Sequence, residues 1–236
     1  MGSAPLLSLN NLSVWYTQGH PVLSGLSLDF GTKEAVGLIG LNGAGKTTFI
    51  KTLAGLLKGY RLDGAKWEGR PFGFRDRAFQ RDRFIVFAED RSFPYFTFRE
   101  YLAYAAASYG VPQPDASGLV KGFHFEAYTD VLLKELSTGN RKKAYLITAF
   151  ALRPKLLLLD EPVNGLDFQS TEFLYQLMGE YKKYGALLFS SHILESICLT
   201  ADRVLVLEHG KIGRTFSGPQ IAAGNIREVL WDEEKC

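Results

Sequence analysis

The residues best suited to chemistry lie in a glycine-rich loop, "GLNGAGKTT" at 40–48. The loop fits the pattern G-x-x-x-x-G-K-[ST], with Gly40, Gly45, Lys46 and Thr47 at the defined positions. Its glycines permit a tight turn whose amides point inward and form an anion-binding concavity at a helix N-terminus. The lysine would reach the β- and γ-phosphates of a nucleoside triphosphate, and the threonine hydroxyl would ligate Mg²⁺. The other loop residues that we expect at the nucleotide are Asn42, Gly43, Ala44 and Thr48.

A second candidate site is "KLLLLDEP" (155–162), an apolar run that ends in two carboxylates. Placing acids at the end of a buried strand is costly unless a cation binds there. Asp160 can hold Mg²⁺ through water, and Glu161 can accept a proton from an attacking water molecule. Pro162 disfavours the helical conformation at Glu161 and is expected to keep this segment extended.

Short continuous apolar runs surround both motifs and predict buried parallel strands, because they do not alternate with polar residues. The runs are Ala35–Ile39, Phe84–Ala88, Leu156–Leu159, Leu187–Phe189 and Val204–Leu207. Helical patterns at 46–57 and 137–153 lie between them, the second ended by Pro154. This alternation predicts an α/β fold with ligands at the carboxyl ends of the strands.

Two other regions have different patterns. Residues 6–30 alternate and are expected to turn at Gly19 and Gly25, which predicts an antiparallel β layer. Residues 98–135 predict a helical insertion.

Composition excludes several classes of protein. The chain has 236 residues, 46% apolar content and a net charge of +2, so bulk charge gives no reason to expect a nucleic-acid partner. Arginines and acids are interleaved over 61–91, as on a solvated mixed-charge face. Cys198 and Cys236 form no disulfide framework or metal spacing. The first ten residues do not resemble a signal peptide, and no window approaches the roughly 20 apolar residues of a membrane span.

The segment "LSTGN" (136–140) lies at the start of the second predicted helix, where Ser137 is a natural N-cap. Together with the two motifs above, it resembles the signature motif of the ATP-binding cassette (ABC) family, usually Leu-Ser-Gly-Gly-Gln. The resemblance covers about residues 10–215. It implies a P-loop NTPase with a RecA-like core, an antiparallel β layer and a helical signature subdomain. The expected boundaries within one ABC domain, 1–236, are the β layer at 6–30, the core at 31–90 and 154–215, the helical subdomain at 91–153 and a tail at 216–236.

The resemblance also implies roles for individual residues. Tyr16 matches the aromatic residue that stacks on adenine, with neighbouring Trp15 as its rival. In "NGLD", Asn164 replaces the commoner Ser, and Asp167 matches the family's aspartate. His192, in "SSH", matches the histidine that contacts the γ-phosphate.

Family members pair face to face around two ATP molecules. Ser137 and Gly139 would therefore contact the nucleotide bound by the other subunit, which is either a second copy or a different cassette. Glu161 would polarise the attacking water, with ATP and Mg²⁺ bound. A separate transmembrane subunit would dock on this chain and place it at the cytoplasmic face of the membrane.

The loop "AEDRSFPYFTF" (88–98) departs from the family pattern. Aligning Pro94 and Thr97 puts the family's Mg²⁺-contacting glutamine at Ala88, next to Glu89. Either Glu89 replaces it as a metal ligand, or Glu89 is a surface charge. The aromatic residues within Phe93–Phe98 are expected to form the docking surface for the membrane subunit; the alternative is that they pack inward.

The signature region points to the direction of transport. Leu-Ser-x-Gly-x followed by Arg141, Lys142 and Lys143 resembles cassettes of ABC-2-type exporters. The chain also ends soon after 209–218, which leaves no room for the regulatory domain of many importers. Export is therefore expected. The alternatives are a soluble ABC ATPase acting on ribosomes or DNA, and a regulatory cassette that no longer hydrolyses ATP.

Overall fold

Two β-sheets with helices packed against them make up the part of the chain that the computed structural model describes, residues 4–233. The strands are β1 (Leu7–Thr17), β2 (His20–Phe30), β3 (Ala35–Ile39), β4 (Tyr60–Arg61), β5 (Gly64–Trp67), β6 (Arg70–Pro71), β7 (Arg83–Val86), β8 (Leu156–Asp160), β9 (Ala186–Ser190), β10 (Arg203–Glu208) and β11 (Lys211–Ser217). The helices are α1 (Lys46–Leu53), α2 (Arg77–Asp82), α3 (Phe98–Tyr109), α4 (Ser117–Gly122), α5 (Thr138–Leu152), α6 (Phe168–Tyr181), α7 (Leu194–Thr200) and α8 (Ala223–Glu233). Short 3₁₀ turns lie at Glu126–Tyr128, Leu133–Glu135 and Gly218–Gln220.

The main sheet has the strand order β11-β10-β3-β9-β8-β7. Its pairings are parallel except for the antiparallel edge strand β11. All five predicted parallel strands are present, and β3, β8 and β9 are buried along their whole length. The predicted α/β fold is therefore confirmed. Parallel pairing brings the glycine-rich loop, Asp160 and Ser190 to the same edge of the sheet.

The second sheet is antiparallel, with the order β2-β1-β5-β6 and β4 paired to β1. The layer expected at 6–30 is present, and the short strands between 60 and 71 extend it. Gly19 lies in the turn between β1 and β2, but the predicted turn at Gly25 is wrong. Gly25 lies inside β2 at a φ of 68°, where the register between β1 and β2 shifts and its amide donates to Ser13 Oγ at 3.0 Å. It forms a bulge, for which glycine is suited.

The main sheet separates two apolar cores. Successive residues of β3 and β8 point to opposite faces, so Leu157 and Leu159 join one core while Leu156 and Leu158 join the other. The first core packs against α3, α5 and α6, and the second lies between the main sheet and the antiparallel sheet. Helices α1 and α5, which begin at the glycine-rich loop and at Ser137, are thus anchored to the sheet through their apolar faces.

Candidate active site

The glycine-rich loop connects β3 to α1, and its shape depends on two glycines. A Cβ atom at Gly40 would lie 2.3 Å from the carbonyl oxygen of Leu207. Gly45, at a φ of 110°, would place a Cβ 2.6 Å from the Leu23 side chain. Any larger residue at either position would displace the loop from the sheet, so the sequence pattern has a direct steric cause.

Lys46 is buried within the loop that precedes it. Its ammonium group donates to the carbonyl oxygens of Gly40 at 2.7 Å and Leu41 at 3.2 Å. Among the described residues, no side chain caps the amides at the start of α1. Backbone amides and one lysine therefore converge on the concave side of the loop, an arrangement that suits phosphate groups.

Thr47 and Asp160 meet at the edge of the sheet. The Thr47 hydroxyl lies 2.9 Å from Asp160 Oδ2 and 3.1 Å from Oδ1. The buried Ser190 hydroxyl donates to Asp160 Oδ1 at 2.7 Å and fixes the carboxylate from the neighbouring strand. Hydroxyl and carboxylate oxygens are the ligands that Mg²⁺ prefers, and Mg²⁺ bound to a nucleotide needs only one or two carboxylates from the protein. The donor set therefore fits Mg²⁺.

Ser190 was missed by the sequence analysis. The only signal for it is a hydroxyl at the end of an apolar strand, directly before "SH".

Glu161 has a left-handed backbone, with a φ of 47°. The expectation that Pro162 keeps this residue extended is wrong, because neighbouring groups fix the peptide in another conformation. The Glu161 amide donates to Ser190 Oγ at 2.9 Å, and its carbonyl oxygen accepts from Lys142 Nζ at 2.9 Å. Its carboxylate Oε2 lies 2.8 Å from His192 Nδ1. The structure thus brings the predicted base and the predicted phosphate-contacting histidine together.

These residues surround one pocket of about 360 Å³ at the carboxyl edge of the main sheet. Its lining consists of Asn42, Gly43, Gly45, Lys46, Thr47, Thr48, Glu161, Asn164 and His192. Residues from three separate parts of the sequence are therefore collected at one site.

Tyr16 stands beside this pocket. Its side chain is 59% exposed, and its hydroxyl lies 3.3 Å from Thr48 Oγ1, in the first turn of α1. Trp15 instead packs closely against Gly59, where an added Cβ would lie 2.8 Å from the indole. The position of Tyr16 favours it over Trp15 as the residue that would stack on a base.

The signature residues lie apart from the pocket. Ser137 caps α5 by accepting a hydrogen bond from the Asn140 amide at 3.2 Å. It lines a neighbouring pocket of about 460 Å³ that also contains Lys134 and Arg141. Gly139 packs against Gly165, whose carbonyl oxygen would lie 2.3 Å from an added Cβ.

Asp167 caps α6 through the Ser170 amide and forms an ion pair with Lys143 at 2.6 Å. The hydrogen bond from Lys143 holds the pKa of Asp167 well below its usual range. The aspartate is therefore ionised and already engaged within its own subunit.

Glu89 is exposed and lines a small separate pocket with Thr138, Arg141, Lys142 and Tyr145. Among residues 4–233, no group of three or more His, Cys, Asp or Glu side chains is placed to hold a metal ion. The structure therefore does not collect Glu89, Asp160 and Glu161 into one metal site. It places Glu89 near Lys142 instead.

The aromatic residues at 93–98 divide into two sets. Phe98 is buried in the first core, and the half-buried Phe93 and Phe96 pack against that core and against Tyr104. Tyr95 is 72% exposed, with Lys134 Nζ lying 4.6 Å from its ring centre. Inward packing therefore applies to Phe98 and in part to Phe93 and Phe96, whereas Tyr95 is the most exposed of these aromatic residues.

Comparison with known proteins is consistent with this geometry. The model of the family described as "ABC transporter" matches residues 23–164. The "Putative ABC transporter ATP-binding protein AlbC" of Bacillus subtilis (strain 168) is 34% identical over 224 residues, which cover 89% of this chain and 91% of that protein.

Two further relatives have names that state a direction of transport. The "SkfA peptide export ATP-binding protein SkfE" of Bacillus subtilis (strain 168) is 33% identical, with 91% of this chain and 90% of that protein covered. The "Cobalt import ATP-binding protein CbiO" of Salmonella typhi is 31% identical, with 84% and 77% covered.

A solved structure described as "Structure of ATP binding subunit of ABC transporter" superposes with a TM-score of 0.83 at 28% identity. The superposition covers 97% of this chain and 94% of that one. Within residues 4–233, none of the helices has the length and apolarity needed to cross a membrane.

Proposed function

This chain belongs to the ABC transporter family, whose ATPases hydrolyse ATP to drive transport, and we propose that it is the motor subunit of a transporter with a separate membrane-spanning chain. One observation carries the proposal: Lys46, Thr47, Glu161 and His192 line a single pocket, with Asp160 hydrogen-bonded to Thr47 at its edge. Each of these groups suits a different task in phosphoryl transfer, and that reaction explains why they lie in one pocket.

Binding would use the loop and the edge of the sheet. The loop amides and Lys46 hold the phosphates, Tyr16 stacks on the base, and Thr47 and Asp160 hold Mg²⁺. When bound, Mg²⁺ neutralises charge on the phosphate oxygens. We do not include Glu89 among the proposed Mg²⁺ ligands, because it is exposed and lines the small separate pocket with Lys142.

Hydrolysis would use Glu161 and His192. The Glu161 carboxylate takes a proton from the attacking water, and His192, whose Nδ1 lies 2.8 Å from that carboxylate, contacts the γ-phosphate. The negative charge that spreads over the phosphoryl oxygens is stabilised by fixed donors, which is the main electrostatic task in this reaction.

The site would be completed by a second subunit. Ser137 and Gly139 lie apart from the pocket of their own chain, which fits residues that face a partner's nucleotide. We propose a dimer around two ATP molecules, formed by two copies or by this chain and a related cassette, at the cytoplasmic face of the membrane. We further propose export, because the signature is followed by basic residues and the relative SkfE is named for peptide export.

Replacing the base tests the catalytic assignment. Glu161→Gln keeps the size of the side chain but not its basicity, so we expect phosphate release to fall by about 10²–10⁴-fold. Binding of MgATP should be retained, and the variant should accumulate as a dimer in size-exclusion chromatography with ATP. Turnover at the wild-type rate would show that Glu161 is not the base.

Two exposed tyrosines test docking on the membrane partner. Tyr95 and Tyr184 are 72% and 51% exposed, and each has a cation over its ring, Lys134 at 4.6 Å and Arg153 at 4.2 Å. Tagged protein is purified from detergent-solubilised native membranes. A polytopic membrane protein should co-purify with wild type and with the matched control Tyr184→Ser, but not with Tyr95→Ser. Recovery of soluble partners alone with wild type would overturn the transporter assignment.

A further inference from the structure

Lys142 is a charged residue in the interior of the protein. Its side chain is only 4% exposed, although it lies near the start of α5 among polar and basic residues. Its ammonium group donates to the main-chain carbonyl oxygen of Glu161 at 2.9 Å. Burying an ammonium group is unfavourable unless its surroundings offset the lost hydration, so the burial of Lys142 requires nearby groups that do so.

The compensation comes from acids at the edge of the sheet. Burial lowers the pKa of Lys142, while the nearby carboxylates of Asp160, Glu161 and Glu89 raise it. The buried cation therefore lies within electrostatic range of Asp160 at the end of β8, of the adjacent Glu161 and of Glu89.

The hydrogen bond acts on a strained residue. A left-handed backbone is unfavourable at a non-glycine residue such as Glu161 and persists only when surrounding contacts determine it. Ser190 Oγ accepts from the Glu161 amide, and Lys142 donates to the Glu161 carbonyl. One contact fixes each end of the residue, and together they set the direction in which the carboxylate leaves the main chain.

We propose that Lys142 is a positioning residue that holds the main chain of Glu161 so that its carboxylate points into the pocket towards His192. The inference rests on the proposed function, because it requires Glu161 to be the base.

The experiment compares two hydrogen bonds made by the same helix. Lys142→Met removes the bond to Glu161 and leaves an unbranched, uncharged side chain that is shorter by a single atom. The matched control, Tyr145→Phe, removes the bond from the next turn of α5 to the Ser92 carbonyl, which is 2.7 Å long in the wild type. Lys142→Arg restores a donor and a charge, and Lys142→Gln replaces the methionine variant if that variant does not fold.

Four quantities are measured on the purified chain: kcat and KM for ATP hydrolysis, Kd for MgATP, Tm, and hydrogen exchange of the peptide 156–168 without nucleotide. We expect Lys142→Met to lower kcat by about 10- to 100-fold, the effect of a misplaced catalytic group. KM and Kd should stay close to wild type, and exchange in 156–168 should become faster. Lys142→Arg should recover part of the lost kcat, and Tyr145→Phe should keep both kcat and exchange at wild-type values.

Two results would overturn the inference. If Lys142→Met keeps wild-type kcat, or if Tyr145→Phe lowers kcat equally, the lysine has only a structural role. Glu161→Gln separates this failure from that of the proposed function. A Glu161→Gln variant with wild-type turnover overturns both, whereas an inactive Glu161→Gln beside a fully active Lys142→Met overturns only the role of Lys142.

Discussion

The N-termini of α1 and α5 are the two helix ends that matter most for this protein, and they are built differently. At α5 the Ser137 hydroxyl accepts from the Asn140 amide, so the chain caps its own helix. At α1 the preceding residue is Gly45, and among the described residues no side chain caps the first amides. A side chain that caps a helix N-terminus satisfies free amides there without a ligand. An uncapped N-terminus leaves those amides available to a bound anion. The N-terminus of α1 is therefore open to an anion, whereas the N-terminus of α5 is already capped by its own chain.

The largest expected effect is at α1. Lys46→Met removes the cation that assists the amides, so we expect a loss of about 2–3 kcal/mol in ATP binding, or about 100-fold in affinity. Titration with a fluorescent ATP analogue measures it. Lys51→Met, in the last turn of the same helix, is the matched control and should bind as wild type does. Equal losses in both variants would mean that the N-terminus of α1 has no special role.

The next effect is at α5. Ser137→Ala removes the cap and should lower the free energy of unfolding by about 1 kcal/mol, measured by urea denaturation. Ser137→Asn should restore stability, because asparagine caps as well as serine. If the serine hydroxyl also serves a partner's nucleotide, ATPase activity should stay low in both variants. Recovery of activity together with stability would reduce Ser137 to a cap.

The smallest effect concerns the N-terminus of α6, which Asp167 caps. Asp167→Asn keeps a capping side chain but loses the ion pair with Lys143, so we expect a loss of about 0.5–1 kcal/mol at pH 7, given the exposure of the aspartate. Because folding lowers the pKa of Asp167, its stabilisation is complete above the unfolded value and is lost as the pH falls below about 4. The stability gap between wild type and variant, measured by urea denaturation, should therefore begin to shrink below about pH 4 and continue to shrink as the pH falls further. A constant gap would assign the stabilisation to capping alone.

The parallel strands could be predicted because burial on both faces leaves a continuous apolar run, and β3 was placed at Ala35–Ile39 from that signal alone. Helix α1 was expected to reach residue 57 but ends at Leu53, because Gly55 adopts a φ of 72°. The strands between 60 and 71 were missed, since Arg61, Lys66 and Arg70 give them no apolar pattern. Edge hairpins of this kind are fixed by pairing with β1 rather than by their own composition.

At the site, sequence identified the residues that touch the pocket but not those that support them. Lys142 was noted only as one of three basic residues after the signature, because nothing local distinguishes a buried lysine from an exposed one. Its burial follows from the packing of α5 beside the end of β8, which is a tertiary feature. Glu89 was considered as a metal ligand because it lies next to the position of the family's glutamine, and a loop carries no periodicity that predicts the direction of its side chain.

The strand order of the main sheet has a consequence for how the protein is made. β3, which leads into the phosphate loop, is flanked by β9 and β10, and both lie near the end of the chain. On the ribosome the loop therefore emerges long before the strands that hold it, and the apolar run of β3 stays unpaired in the meantime. We expect that ATP cannot stabilise the nascent chain until β9 and β10 have emerged beside β3.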